Sequence, residues 1–395
     1  MGAMPHLLLV RETGLAASHH VVTLANFLAG EGFRLTVVCL DSASPAASGL
    51  SPGIQLIGLG SAAQHQLGKA WTRIRKALKL RGMLRDLNGD AMYVVDSWTL
   101  PTVWLATGGR FRWREAGLVY HTYDWLEPGL HSTAYLRLER AACRAADLVV
   151  NADRARARMQ RTLYRLGETP LWVQNALPRS TPMPGFDGGI RNELLGGSDV
   201  PQSCLLVYPT AISNEDSSQR LTFELISAIA LLPKRFHLAT FFEEGSEYHR
   251  CLDLVASKHL QERVTFLPVV PLPRLIGYLG CADLGAILYD DRVSSGYFMA
   301  SPDKLSLLAA CGIPYVASDF PNLEAVTYRL GLGVCCDARD PVELARAIRE
   351  LADGPVPLAE RKAHVREVFE RELHFEKQAG RLVEALRRMV EIRRG

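Results

Sequence analysis

The 395-residue sequence predicts an α/β protein of two doubly wound, Rossmann-like domains, and three features carry that prediction. Short apolar runs such as Leu7–Val10, Leu35–Leu40 and Leu118–Tyr120 alternate with longer stretches of helical periodicity. That is the pattern of parallel strands buried on both faces and joined by crossover helices. The length suits two domains of ordinary size. A Pro- and Gly-rich run beginning at Arg179 reads as an interdomain linker. The expected partition is a first domain over 1–178, a linker over 179–199, a second domain over 200–375 and a closing helix over 376–395.

Composition narrows the class. A hydrophobic content of 48% with 22% charged residues is that of a folded globular chain. A net charge of +3 does not argue for nucleic acid. The eight cysteines, Cys39, Cys143, Cys204, Cys251, Cys281, Cys311, Cys335 and Cys336, form no C-x2-C pair. They read as buried reduced thiols of a cytoplasmic protein. No apolar run is long enough for a transmembrane helix, and Leu7–Val10 lacks the basic flank of a signal peptide.

In the first half, Leu7–Val10 leads into a loop with Gly14, a helix over His19–Gly30 and a second strand, which together make a βαβ unit. The loop has no G-x-G-x-x-G, so a dinucleotide fingerprint is not expected. Ile54–Leu59 is a third strand. Trp71–Leu87 is a helix carrying Arg73, Arg75, Lys76, Lys79, Arg81 and Arg85. A solvated face is the preferred reading of those charges, and a membrane-surface patch is the alternative. Met92–Val95 and Leu118–Tyr120 are further strands. His121 and Asp124 follow at the edge where functional groups of open α/β sheets gather. Either is placed to orient a substrate or take a proton from a hydroxyl; the alternatives are a strand-end histidine and a turn-capping aspartate.

The second half repeats the alternation, with strands at Ser203–Tyr208, Phe236–Phe242, Val264–Leu267 and Ala282–Tyr289. Asp290 and Asp291 are adjacent but lack distinctive ligand spacing, so no metal site is assigned. Ser301–Ala325 is the organising stretch. Ser301-Pro302-Asp303 opens a helix with Lys304 in its first turn, Gly312 stops it, Tyr315–Ala317 is a strand, and Ser318–Asn322 is a loop. Unpaired N–H groups beside a lysine suit a nucleotide diphosphate; an ordinary αβ unit with a surface lysine is the alternative. Leu332–Val334 is a strand, and helices over 359–372 and 375–394 close the chain, with Arg381, Arg387, Arg388, Arg393 and Arg394 facing solvent.

The run PDKLSLLAACGIPYVAS resembles the donor-binding helix of GT-B glycosyltransferases of the GT4-like type. Pro302, Lys304, Leu305, Ala310, Gly312, Pro314, Val316, Ala317, Ser318 and Glu324 match that pattern in order. Glu139, Ala146, Asp147, Val149 and Val150, then Asn175, Asp283 and the Asp340–Ile348 run, extend the resemblance over most of the chain. It implies two domains facing across a cleft and a last helix that crosses back to the first domain. It also implies transfer of a sugar from a UDP- or GDP-linked donor to a hydroxyl of a glycan, a lipid-linked sugar or a small molecule. No cofactor, metal or nucleic acid is expected, and peripheral contact at the inner membrane face is an alternative to a free cytoplasmic protein.

By the same resemblance, Lys304 and its helix terminus hold the diphosphate, and Gly14 lies beside acceptor and donor sugar. Asp303, at the helix start, is a further donor-site candidate. A histidine in the region of His121 contacts the donor sugar in retaining enzymes. Leu267 and Val269 border the base, and Asn322 and Glu324 face the sugar or phosphate. Ser295, Gly296 and Tyr297 are placed to touch phosphate or sugar, with a flexible loop as the alternative. The chain departs from the pattern where its two glutamates fall on Met299 and Leu307, and at Ala176 in place of glycine. The loop 209–218 also lacks the usual cations, the first being Arg220. A sugar-nucleotide epimerase and a non-catalytic binding protein stay open as alternatives.

Overall fold

The structure is a computed structural model that describes residues 4–15, 18–41, 49–60, 69–183, 185–197, 202–212, 220–290, 292, 294–299 and 301–394. It divides into two compact units, Met1–Asn175 with Phe375–Gly395, and Ala176–His374.

The first unit runs β1 (His6–Arg11), α1 (His19–Gly30), β2 (Arg34–Cys39), β3 (Gln55–Gly58), α2 (Lys69–Asp86), β4 (Ala91–Val95), α3 (Leu100–Ala106), β5 (Gly117–Thr122), α4 (Thr133–Ala145), β6 (Leu148–Asn151), α5 (Arg154–Tyr164) and β7 (Leu171–Trp172). The sheet is parallel, in the order β3-β2-β1-β4-β5-β6-β7. Its central strands are buried along their whole length, as a sheet covered on both faces requires. The last helix, Phe375–Arg394, packs here by its apolar face, with the Phe375 ring 5.4 Å from Phe27. Its arginines do not simply face water. Arg387 donates to Glu31 O at 2.8 Å, Arg394 to Asp90 at 2.7 Å, and Arg393 pairs with Asp147. The groups that receive them stand on the first unit, but the buried side chains of Phe375, Leu382, Leu386 and Val390 are what bind a helix so distant in sequence to it.

The second unit runs α6 (Gly188–Leu194), β8 (Cys204–Ile212), α7 (Thr222–Leu231), β9 (Phe236–Phe242), α8 (Ser246–Ser257), β10 (Val264–Pro268), α9 (Leu272–Gly280), β11 (Leu284–Ile287), α10 (Asp303–Ala310), β12 (Tyr315–Ser318), α11 (Pro321–Leu330), β13 (Gly333–Cys336), α12 (Pro341–Asp353) and α13 (Leu358–Val368), which ends in a π turn. Its parallel sheet has the order β10-β9-β8-β11-β12-β13. The stretch read as linker folds into this unit. Asp187 caps α6 by accepting the Gly189 N–H at 2.8 Å, Arg191 donates to Cys281 O at 2.7 Å, and Leu194 and Leu195 enter the core.

Both sheets share one winding order. The chain builds outward from a first strand, then returns to that strand's other side, between β1 and β4 in one unit and between β8 and β11 in the other. At such a reversal the helices leave on opposite faces and a crevice opens beyond the strand ends, where ligands bind in open α/β sheets.

Candidate functional site

In the second unit, the reversal between β8 and β11 is spanned by side chains. Tyr208 Oη lies 2.6 Å from Arg220 O and 3.3 Å from Leu288 O, tying the chain after β8 to the end of β11. The Arg220 guanidinium stands 4.7 Å above the Tyr289 ring and 5.8 Å from Tyr297, and those two rings stack at 4.7 Å. Ser318 Oγ, at the end of β12, accepts the Tyr289 N–H at 3.0 Å and donates to Tyr289 O at 3.1 Å. Residues 213–219 of the preceding loop lie outside the described residues, so most of the loop read at 209–218 is not placed.

The 3-10 turn Ser295–Met299 then leads to α10. Gly296 N–H bonds to Ser294 Oγ at 3.1 Å, Tyr297 is half-buried, and Phe298 packs on Phe320 at 4.8 Å. Asn322 Nδ2 donates to Ser301 Oγ at 2.8 Å, lacing the start of α11 to the approach of α10. Lys304 sits in the first turn of α10 with its side chain 18% exposed and its ammonium 3.9 Å from Asp303 Oδ1, which also accepts the Lys304 backbone N–H at 2.9 Å. Gly285 lets α10 lie this close to β11, since a Cβ there would come within 2.6 Å of Leu308 Cδ2. The structure thus brings Gly296, Tyr297, Asp303, Lys304 and Asn322 onto one stretch.

The loop expected over Ser318–Asn322 is corrected: Asn322, and Glu324 after it, lie in a helix. Pro321, with φ already set for a helix, starts α11 one residue before Asn322. Leu267 contributes its side chain to the core, and β10 is an edge strand with β9 and β8 between it and β11. Val269, just beyond it, is exposed. Leu307, where the resemblance would place a glutamate, is likewise a core residue. Asp290 is bound by Arg292, whose Nε lies 2.9 Å from both carboxylate oxygens and whose bonding holds the carboxyl below its usual range. Asp291 lies outside the described residues. Among the described residues, no three His, Cys, Asp or Glu side chains are grouped to hold a metal ion.

In the first unit, the reversal between β1 and β4 holds a second constellation. Arg11, the last residue of β1, is buried. One terminal nitrogen donates to Thr13 Oγ1 at 2.6 Å, while Nε and Nη1 are buried without a hydrogen-bond partner. Asp96 directly follows β4 with φ 63° and ψ 151°. That region is almost exclusive to glycine and costs a side-chain-bearing residue about 1–3 kcal/mol. Its N–H bonds to His121 O at 2.8 Å, and its carboxylate accepts the Tyr123 N–H at 3.2 Å. Burial, followed by the charge of Asp124, pushes the Asp96 carboxyl up to about 6. Tyr123 Oη is also buried without a partner. Buried donors left unpaired cost about 1–3 kcal/mol each, so the backbone strain and the orphaned donors converge on one place.

His121 and Asp124 lie at the C-terminal edge of β5, as expected, in contrasting surroundings. His121 lies within β5, wholly buried, its Nδ1 2.8 Å from Tyr93 Oη and its ring stacked 4.3 Å from Tyr123. Burial drives its pKa down to about 3, so the ring is neutral and only weakly basic. Asp124 is exposed and acts on the site through Asp96. Gly14 is half-buried on the loop three residues beyond Arg11. Asp96 and Arg11 were missed by sequence reasoning, although each is the charged residue that ends an apolar strand run. Lys76, counted with a basic helix face, is instead buried and bonded to Glu12 at 2.6 Å.

No family model matches the sequence, and no curated protein does. Solved structures do. HepE from Anabaena, in complex with UDP, is 16% identical with a TM-score of 0.70, over 98% of this chain and 100% of that one. Sucrose-phosphate synthase from Thermosynechococcus elongatus is 18% identical with a TM-score of 0.76, over 98% and 100%. A putative UDP-N-acetylglucosamine 2-epimerase from Listeria monocytogenes is 12% identical with a TM-score of 0.63, over 99% and 98%. Two parallel doubly wound sheets of seven and six strands, matched along the whole length of such neighbours, give this chain the GT-B fold.

Proposed function

We propose that the chain is a GT4-like glycosyltransferase that moves a sugar from a UDP-sugar to an acceptor hydroxyl. The observation that carries the reading is the pair of polar constellations, one at each sheet's reversal point, within a GT-B fold. In the reaction, the hydroxyl oxygen attacks the anomeric carbon, the bond from that carbon to the diphosphate breaks, and the hydroxyl proton passes to a carboxylate. Lys304 and the N–H groups of its helix turn offset the charge building on the leaving diphosphate, a term that is often the largest in catalysis. Asp96, buried and with its carboxyl raised to about 6, is the proton acceptor. Water exclusion protects the donor from hydrolysis. No cofactor is called for.

UDP is preferred because HepE is crystallised with it; a GDP-linked donor is the other arm of the test. Calorimetry with UDP and GDP, followed by UDP release from UDP-glucose with glycan and small-sugar acceptors, tests the reading. UDP binding with acceptor-dependent release is the expected result. The Listeria neighbour favours one second reading, a sugar-nucleotide epimerase. Interconversion of a free sugar-nucleotide without any acceptor would establish it instead. Failure to bind any nucleotide diphosphate would leave a binding protein of this fold.

A further inference from the structure

Helix α2 presents its core side with Ala77, Leu80 and Leu84, all buried. The opposite side would ordinarily be polar. Instead Trp71 is 60% exposed, Ile74 39% and Leu78 62%. These three stand at spacing i, i+3 and i+7 and form one apolar seam along the outward face. Arg75, Arg81 and Arg85 flank the seam and are exposed. Asp86, the last residue, is the only acid in the helix. Neighbouring α3, which packs against α2, exposes Trp104 and Leu105 and contains no charged residue.

We propose that this face of the first unit docks on an anionic lipid bilayer. A seam of large apolar side chains between arginines is the arrangement that lies in a membrane interface. Apolar groups enter the acyl boundary, tryptophan sits at headgroup depth, and guanidinium groups meet lipid phosphates on long flexible stems. A polyanion in solution would use the cations but leave the tryptophan and leucine in water, so the apolar seam decides between the two. No helix among the described residues is long and apolar enough to cross a membrane, so the contact is peripheral. The inference does not depend on the proposed sugar transfer.

Flotation of the full chain with vesicles of equal parts phosphatidylglycerol and phosphatidylcholine tests it, with pure phosphatidylcholine vesicles as the reference. Binding to the mixed vesicles is expected, much stronger than to the reference and falling as salt is raised. The triple change Arg75→Gln, Arg81→Gln and Arg85→Gln is expected to lower the partition coefficient about a hundredfold, each cation near the surface carrying roughly a factor of five. Trp71→Ser with Leu78→Ser is expected to remove the part that survives high salt. All these residues are exposed, so thermal melts of the variants should match the parent. No binding to mixed vesicles at low salt would overturn the proposal, as would binding unchanged in both variants. Saturable binding to heparin without vesicle binding would overturn it too, assigning the face to a soluble polyanion.

Discussion

Asp303 and Lys304 share the first turn of α10, and one carboxylate oxygen of Asp303 both accepts the lysine's own N–H at 2.9 Å and stands 3.9 Å from its ammonium. An anion is therefore already present where a diphosphate would find the helix's positive end. The same contact holds the lysine in place and competes with the ligand for it.

Lys304→Ala should weaken UDP binding about 10- to 100-fold, the range for losing a charge-assisted hydrogen bond. The melting temperature should change little, because the ammonium's 3.9 Å pairing with Asp303 is a weak one. Calorimetry and a thermal melt on the same sample check both halves. Unchanged UDP affinity would remove Lys304 from the site.

Asp303→Asn should do the opposite. The amide oxygen still accepts the Lys304 N–H, but the negative charge at the helix start is gone. A charge at a helix terminus is worth about 0.3–1 kcal/mol, so UDP affinity should rise about two- to fivefold, most visibly at low ionic strength.

Asp96 makes stability depend on pH in a direction opposite to most carboxylates. Its folded-state pKa of about 6 lies above the ordinary 3.8. Between those values the native state keeps a proton that the unfolded chain has released, so stability falls as pH rises through the window. Above it the buried charge costs about 2–3 kcal/mol. Asp96→Asn should be more stable than the parent at pH 7.5, with the gap closing near pH 4, as urea titrations at the two values would read. Asp96→Gly should gain more, since it also relieves the backbone. If Asp96 takes the acceptor's proton, both variants lose transfer by about 10²-fold or more while gaining stability.

Gly285→Ala places a methyl group 2.6 Å from Leu308. Overpacking of this kind costs about 1–3 kcal/mol, and the displaced element is α10, which carries Lys304. Weaker UDP binding should accompany the lower stability. Adding Leu308→Ala should restore part of both, since it removes the atoms in conflict. Failure of the double variant to recover UDP binding would separate the packing of α10 from the site.

Where the strands run was legible because their side chains are buried on both faces, which forces apolar runs such as Leu7–Val10 and Leu205–Val207. Helix starts were legible where proline and glycine punctuate them, as at Pro302 and Gly312. Asn322 was misread because Ser318–Asn322 has loop composition, yet Pro321 is a favoured first residue of a helix. The run after Arg179 was misread as linker for a similar reason. Its glycines and prolines mask α6, whose stability comes from Arg191 and from Leu194 in the core rather than from propensity.

The amino-acid sequence by itself determined the alternation of strand and helix, hence two parallel sheets, and it marked the helix that begins at Asp303. Periodicity and chain punctuation are local, so they survive in one dimension. Only the tertiary structure decided which charges are in play. Winding order brings Arg11 and Asp96 to one reversal point, burial closes His121 away while leaving Asp124 in water, and the closing helix finds its acids in the first unit. A side chain's proton affinity and its partners depend on what surrounds it in space, and those neighbours lie tens to hundreds of residues away along the chain.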